Sequence, residues 1–167
     1  MDKKIVAFQG EAGAYSESAA YKHFGKETET LPCRSFEELF GAVTDGKATH
    51  GIAPIENSLA GSIHRNYDLL LRNDLQIIGE HHLRVSHCLM ALPSVELADV
   101  TRVYSHPQAL AQCEKSLKKL DLPSVVAADT AGSARGLKEN DDKTSAALAS
   151  RLAAQVYGLK ILQENMA

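Results

Sequence analysis

The sequence has no block of like charge. Its 18 Lys and Arg and 21 Asp and Glu residues are interspersed and sum to a formal net charge of -3. A nucleic-acid groove, whose affinity needs clustered cations, is therefore not expected. Nor does any apolar stretch approach the roughly 20 residues of a membrane span. The start Met1-Asp2-Lys3-Lys4-Ile5-Val6 enters a strand-like run too soon for a secretory signal. These absences predict no nucleic-acid partner, no membrane and a cytoplasmic protein. Paired cysteines are missing too. Cys33, Cys88 and Cys113 are odd in number, far apart and outside any CxxC pair, which argues against a disulfide framework or a thiolate zinc site. His81, His82 and His87 cluster without a carboxylate or cysteine at ligand spacing, so partly exposed strand histidines are expected there and no metal. After Gly10 and Gly13 the third glycine of a dinucleotide fingerprint is lacking, and no cofactor is expected.

What is present is a repeating alternation. Lys4–Gln9 reads as a buried strand, Ser16–Phe24 as a helix stopped by Gly25, and Glu29–Cys33 as a second strand. Ser35 and Glu38 form a capping box ahead of a helix whose apolar face is Phe36, Leu39, Phe40 and Val43. Gly51–Ile55 is a third strand, and the next helix is expected to turn Tyr67, Leu70 and Leu71 inward. Two adjacent strand-like runs, Gln76–Gly79 and Val85–Met90, then mark the crossing into a second lobe. That lobe alternates strands at Arg102–Tyr104, Ser124–Ala127, Ser145–Leu148 and Lys160–Leu162 with helices at Pro107–Leu120, Ala131–Lys138 and Ser150–Tyr157. The order predicts an α/β chain with a first lobe over 1–80 and a second over 81–160. Alternating strands and helices imply parallel sheets with right-handed crossovers, whose ligands sit beyond the carboxyl ends of the strands.

Four polar turns fall at such ends. The stretch Pro54–Ile63 carries Glu56, Asn57, Ser58, Gly61 and Ser62 between a strand and a helix. Helix N-termini present unpaired N–H groups and partial positive charge, so the junction suits an anion; Ser and Asn there are equally helix caps. Gly13 to Ser16 forms a second turn. Ser105, His106 and Gln108 flank Pro107 in a third, and Asp129, Thr130, Ala131 and Gly132 make a fourth at a small-residue helix start. Two lobes with facing polar edges describe a clamshell that closes on an anion.

With these turns in view, the chain resembles the catalytic domain of prephenate dehydratases and the similar arogenate dehydratases. The matching runs are Ala7–Glu17, Pro54–Leu71 with Glu56-Asn57-Ser58, Ser105–Cys113, Asp129–Ala134 and Tyr157–Leu162, in the family's order along the whole chain. The resemblance implies a two-lobed fold similar to periplasmic binding proteins, each lobe a mostly parallel sheet flanked by helices, with a cleft between lobes and with 161–167 as the start of a segment returning to the first lobe. It implies conversion of prephenate to phenylpyruvate in phenylalanine biosynthesis, or of arogenate to phenylalanine, without a cofactor. It carries catalytic roles onto Glu56, Asn57, Ser58 and Ser62. Substrate-binding roles fall to Gly13, Tyr15, Ser16, Gly61, Ser105, His106, Gln108, Asp129, Thr130, Ala131 and Gly132. The ligand would be a small dicarboxylate. Glu56 is expected to anchor its loop by accepting backbone bonds, and His106 either to donate a proton or to cap its helix.

Two departures follow. The family continues past the position of Ala167 to a Thr-Arg-Phe motif whose threonine is implicated in catalysis, and a regulatory ACT domain commonly follows; neither stands in this sequence. Ala60 replaces a motif glycine, which disfavours a positive φ there. A module that binds a small carboxylate without turning it over is therefore kept as an alternative. An unpaired edge in the first lobe also predicts a homo-oligomer.

Overall fold

A computed structural model describes residues 4–167. The chain forms two compact units. One takes the residues up to Glu11 together with Ser16–Leu83, the other Ala12–Tyr15 together with Arg84–Ala167. The four residues Ala12–Tyr15 thus go with the second unit, although their neighbours on both sides belong to the first.

The first unit is built on β1 (Ile5–Gln9), α1 (Tyr15–Phe24), β2 (Glu29–Cys33), α2 (Phe36–Thr44) and β3 (His50–Ile52). β1 pairs in parallel with β2 on one side and β3 on the other, giving the order β2-β1-β3. Pro32 lies on β2, an edge strand, where a missing N–H breaks no ladder on the outer side. Ser35 caps α2 by accepting from the Glu38 N–H at 3.2 Å, while the Glu38 carboxylate reaches back to the Arg34 N–H at 2.7 Å. As the spacing predicts, Leu39 and Phe40 are buried in a core with Ala7, Cys33, Ala42 and Ala48.

Beyond β3 the expected strand-to-helix junction is absent. The chain makes instead a small antiparallel ribbon, β4 (Glu56–Asn57) with β5 (Gly61–Ser62), before α3 (His64–Arg72). The phase of α3 also differs from expectation. Asn66 and Leu69 are its buried residues, whereas Tyr67 is 41% and Leu71 87% exposed. Apolar periodicity missed this because a fully buried asparagine holds the inward position. Gln76–Gly79, expected as a strand, has no ladder partner and belongs to no strand; Ile77 and Ile78 are exposed.

The second unit consists of β6 (Cys88–Ala91), β7 (Arg102–Ser105), α4 (Pro107–Gln112), α5 (Glu114–Lys119), β8 (Ser124–Val126), α6 (Thr130–Glu139), β9 (Ser145–Ala149), α7 (Arg151–Tyr157) and β10 (Lys160–Gln163). Its sheet runs β10-β6-β9-β7-β8: β7 is parallel to β8 and β9, while β6 is antiparallel to β9 and to β10. Every residue of β6 and β9 is buried, which suits strands covered on both faces. The single helix expected over Pro107–Leu120 is two, because buried Cys113 leaves helical geometry (φ -98°, ψ 4°) and serves as the end of α4 and the start of α5. Gly158, left-handed at φ 65°, terminates α7. The residues from 161 onward stay in the second unit as far as Ala167. β10 is an edge strand of its sheet, and buried Met166 donates its N–H to the His87 carbonyl at 3.0 Å.

Candidate active site

In the first unit the candidate groups sit on the ribbon and on the first turn of α1. Asn57 organises the ribbon. Its Oδ1 accepts from the N–H of Leu59 at 2.9 Å and of Ala60 at 3.2 Å, an Asx turn that closes the three-residue loop. The left-handed position falls on Gly61 (φ 82°), not on Ala60, as three-residue hairpin loops favour. Asn57 is thus a turn former rather than a helix cap, and α3 starts at Ile63 with no side-chain cap bond. Glu56, Ser58 and Ser62 are exposed, and Ser16 is half-buried. Among the described residues none of these four side chains, nor the Asn57 Nδ2, has a recorded hydrogen-bond partner. Glu56 therefore has neither the buried setting of a carboxylic acid nor the backbone bonds expected of a loop anchor.

The second unit differs: most of its candidate groups are engaged in structure. Ser105, fully buried at the end of β7, donates its hydroxyl to the Leu148 carbonyl of neighbouring β9 at 2.7 Å. His106 Nδ1 accepts from the Gln108 N–H at 3.3 Å and so caps α4. That bond leaves the proton of the neutral ring on Nε2. Asp129 caps α6 through the Gly132 N–H, and its carbonyl accepts from the Ser133 hydroxyl at 2.7 Å. A carboxylate of the chain itself thus occupies the N-terminus of α6, the place expected for an anion. A Cβ at Gly132 would fall 2.6 Å from Asp129 Oδ2, so the small residue is required by the cap. Thr130 opens α6 half-buried and, among the described residues, without a side-chain hydrogen bond; Ala131 is buried and Gln108 half-buried.

Gly13 and Tyr15 lie in the four-residue strap that belongs to this unit. Gly13 has φ 90°, and a Cβ there would meet Ala153 Cα at 2.7 Å. Its carbonyl accepts from the Ser150 hydroxyl at 2.5 Å, and the Ala12 carbonyl accepts from the Tyr157 hydroxyl at 2.7 Å. Ser150 in turn caps α7 by accepting from the Ala153 N–H at 2.9 Å. The Tyr15 hydroxyl shares a 2.7 Å hydrogen bond with His87 Nδ1 and lies 3.1 Å from the Ser86 carbonyl, while His87 Nε2 lies 2.9 Å from Gln112 Oε1. Burial pushes the Tyr15 phenol well above its ordinary pKa and holds the His87 imidazole below its own. In the neutral ring whose Nε2–H donates to Gln112 Oε1, Nδ1 is the acceptor that faces the Tyr15 hydroxyl.

His87 is thus 3% exposed, and the expectation of partly exposed strand histidines is corrected for it. His81 and His82 are exposed but lie outside any strand. Among the described residues no three His, Cys, Asp or Glu side chains converge on a point that could hold a metal ion. Sequence reasoning missed His87, Gln112, Ser150, Tyr157 and Asn66. Ser150 alone carried a local signal, as a serine just ahead of a helical pattern.

Comparison with known proteins decides the family. The family model for prephenate dehydratase matches residues 6–167. The chain belongs to the prephenate dehydratase family. Among curated relatives it is 52% identical over 163 residues to arogenate dehydratase/prephenate dehydratase 6, chloroplastic, of Arabidopsis thaliana, covering 96% of this chain and 39% of that protein. The chain thus spans about two-fifths of the length of the curated relatives it matches. Among solved structures it resembles a prephenate dehydratase of Arthrobacter aurescens in complex with L-Phe, with TM-score 0.88 and 30% identity over 98% of this chain and 55% of that one. It also resembles GqqA, described as a novel type of quorum quenching acylase, with TM-score 0.92 and 43% identity over 98% of this chain and 59% of that one. The expectation of a cytoplasmic protein is corrected, because several Arabidopsis thaliana members are chloroplastic.

Proposed function

We propose that this chain binds prephenate and converts it to phenylpyruvate, as a carbon–oxygen lyase of phenylalanine biosynthesis. The observation that carries the reading is the family match over residues 6–167 joined to a set of uncommitted neutral donors. Ser16, Ser58, Ser62 and the Asn57 Nδ2 can hydrogen-bond a carboxylate without adding charge. In the reaction the bond from the ring to its carboxylate breaks, releasing carbon dioxide. The electron pair enters the ring as the carbon–oxygen bond breaks, and hydroxide leaves after taking one proton, as water. Aromatisation drives the step, so the protein has to orient the dianion and supply that proton. His106 can give that proton only as the imidazolium, and in that form its Nδ1 no longer accepts the cap bond from the Gln108 N–H.

A second reading, arogenate to phenylalanine, is favoured by the relatives named for both activities. Amide hydrolysis by a cysteine is not favoured. Cys33, Cys88 and Cys113 are buried, and burial raises each thiol above its ordinary pKa, Cys113 to about 11. Steady-state assays with prephenate and with arogenate, following phenylpyruvate and phenylalanine, test the proposal. Turnover of one or both is expected. Calorimetric binding without turnover would instead establish a non-catalytic carboxylate-binding module. We propose a homo-oligomer as the solution state, because exposed Leu71, Ile77 and Ile78 leave apolar surface uncovered. A sedimentation coefficient that stays monomeric at every concentration would remove that reading.

A further inference from the structure

A ladder of two residues per strand does not hold itself in water, yet the β4–β5 ribbon carries most of the uncommitted donors of the first unit. What fixes it lies at its base. The Ile63 N–H donates to the Ile55 carbonyl at 2.8 Å, and the Asn66 N–H donates to the Ile63 carbonyl at 3.0 Å. Asn66 Nδ2 donates to the Pro54 carbonyl at 2.7 Å. Two of these three bonds come from Asn66, and the last is the side-chain bond from α3 to the chain entering the ribbon.

Asn66 itself sits on a helix that is bonded to α2. α3 is tied to α2 near its start by Arg65 Nε donating to Glu37 Oε1 at 2.6 Å. At its end Asn73 Nδ2 closes onto the Leu69 carbonyl at 2.8 Å, and the Thr44 hydroxyl of α2 lies 3.4 Å from Asn73 Oδ1. Asn66 has no exposed surface, and among the described residues its buried Oδ1 has no hydrogen-bond partner. A buried amide that satisfies only one of its ends costs stability. An apolar side chain would occupy the position without that cost, so burial alone does not account for this side chain. The bond to Pro54 does account for it.

We infer that Asn66 is a positioning residue of the proposed reaction: it sets the height and angle of the Glu56–Ser62 ribbon, through the Pro54 carbonyl, so that Asn57, Ser58 and Ser62 meet the substrate. This rests on the dehydratase reading for its chemistry and on the hydrogen bonds alone for its mechanics. Displacing positioned groups by about 1 Å costs on the order of a hundredfold in rate.

The test is Asn66→Leu in the full chain, with Asn66→Asp beside it. Asn66→Leu is expected to unfold cooperatively while kcat for phenylpyruvate formation falls roughly ten- to a hundredfold. Hydrogen exchange at the Leu59, Ala60 and Ile63 amides should quicken, with the amides of α2 unchanged. Asn66→Asp can donate to Pro54 only when its carboxyl is protonated, so its kcat relative to the parent chain should recover as pH falls. A folded Asn66→Leu protein with unchanged ribbon exchange overturns the inference, and so does quickened exchange with unchanged kcat and KM. If the parent chain turns over neither substrate, the dehydratase reading fails on its own, and ribbon exchange alone decides whether Asn66 positions the ribbon.

Discussion

The two units hold their polar residues in opposite ways. In the second, Ser105, His106, Asp129, Tyr15 and Ser150 all give their hydrogen-bonding groups to the protein: strand ties, helix caps and the fastening of the Ala12–Tyr15 strap. In the first, Ser16, Ser58, Ser62 and the Asn57 Nδ2 are uncommitted, three of the four on a ribbon with little core of its own. Residue type does not separate the two groups, since serines occur in both. Burial separates the extremes: buried Ser105 and Ser150 must find partners in the protein, whereas exposed Ser58 and Ser62 are satisfied by water and can exchange it for ligand, and half-buried residues fall in both groups. Substitutions in the second unit should therefore change stability, and those on the ribbon should change activity.

The largest effect is expected from Gly13→Ala. It places a Cβ against Ala153 Cα at a positive φ, and should cost about 3 kcal/mol of folding stability in urea titration. A near-neutral result would mean that the strap is not held as described. His87→Ala should follow closely, at about 2–3 kcal/mol, by opening a cavity and leaving the Tyr15 hydroxyl without its imidazole partner. On the ribbon, Asn57→Ala should leave the unfolding midpoint almost unchanged while kcat/KM for prephenate falls about tenfold or more. Loss of stability in parallel with activity would break the contrast between the units.

A smaller effect is the pH dependence set by His87. Its folded-state pKa is depressed by burial, so the unfolded chain binds this proton first as pH falls. Stability from this residue is complete above about 6.5, the ordinary histidine pKa. Below that it declines toward the depressed folded value, with a slope of at most about 1.4 kcal/mol per pH unit. His87→Gln should remove that slope from a urea–pH series. Least of all, Glu37→Gln should leave the midpoint within error. Arg65 holds the Glu37 carboxyl below its usual range, but the pair is exposed and screened by water.

Much of the fold was legible because its signals are local. The apolar runs of β1 and β9, the cap at Ser35 and the glycine stop of α1 at Gly25 are each read within one turn or strand. The misreadings share a cause. Pro54–Ile63 has the composition of a helix start, but its Asn57 oxygen bonds Leu59 and Ala60 and makes a ribbon. The face of α3 was misplaced because Asn66 is turned inward by a carbonyl 12 residues earlier in the chain. His87 read as a partly exposed strand histidine, and its burial between Tyr15 and Gln112 comes from other elements.

The amino-acid sequence by itself determined the order of strands and helices, the membership in the prephenate dehydratase family and the inventory of polar groups at the strand ends. These depend on spacing along the chain. Which of those groups are engaged and which are open to a ligand was decided only by tertiary structure. Ser150 meets Gly13 across 137 residues and Tyr15 meets His87 across 72. A hydrogen-bonding group is either satisfied by the protein or available to a ligand, and which one holds depends on neighbours in space, not on neighbours in sequence.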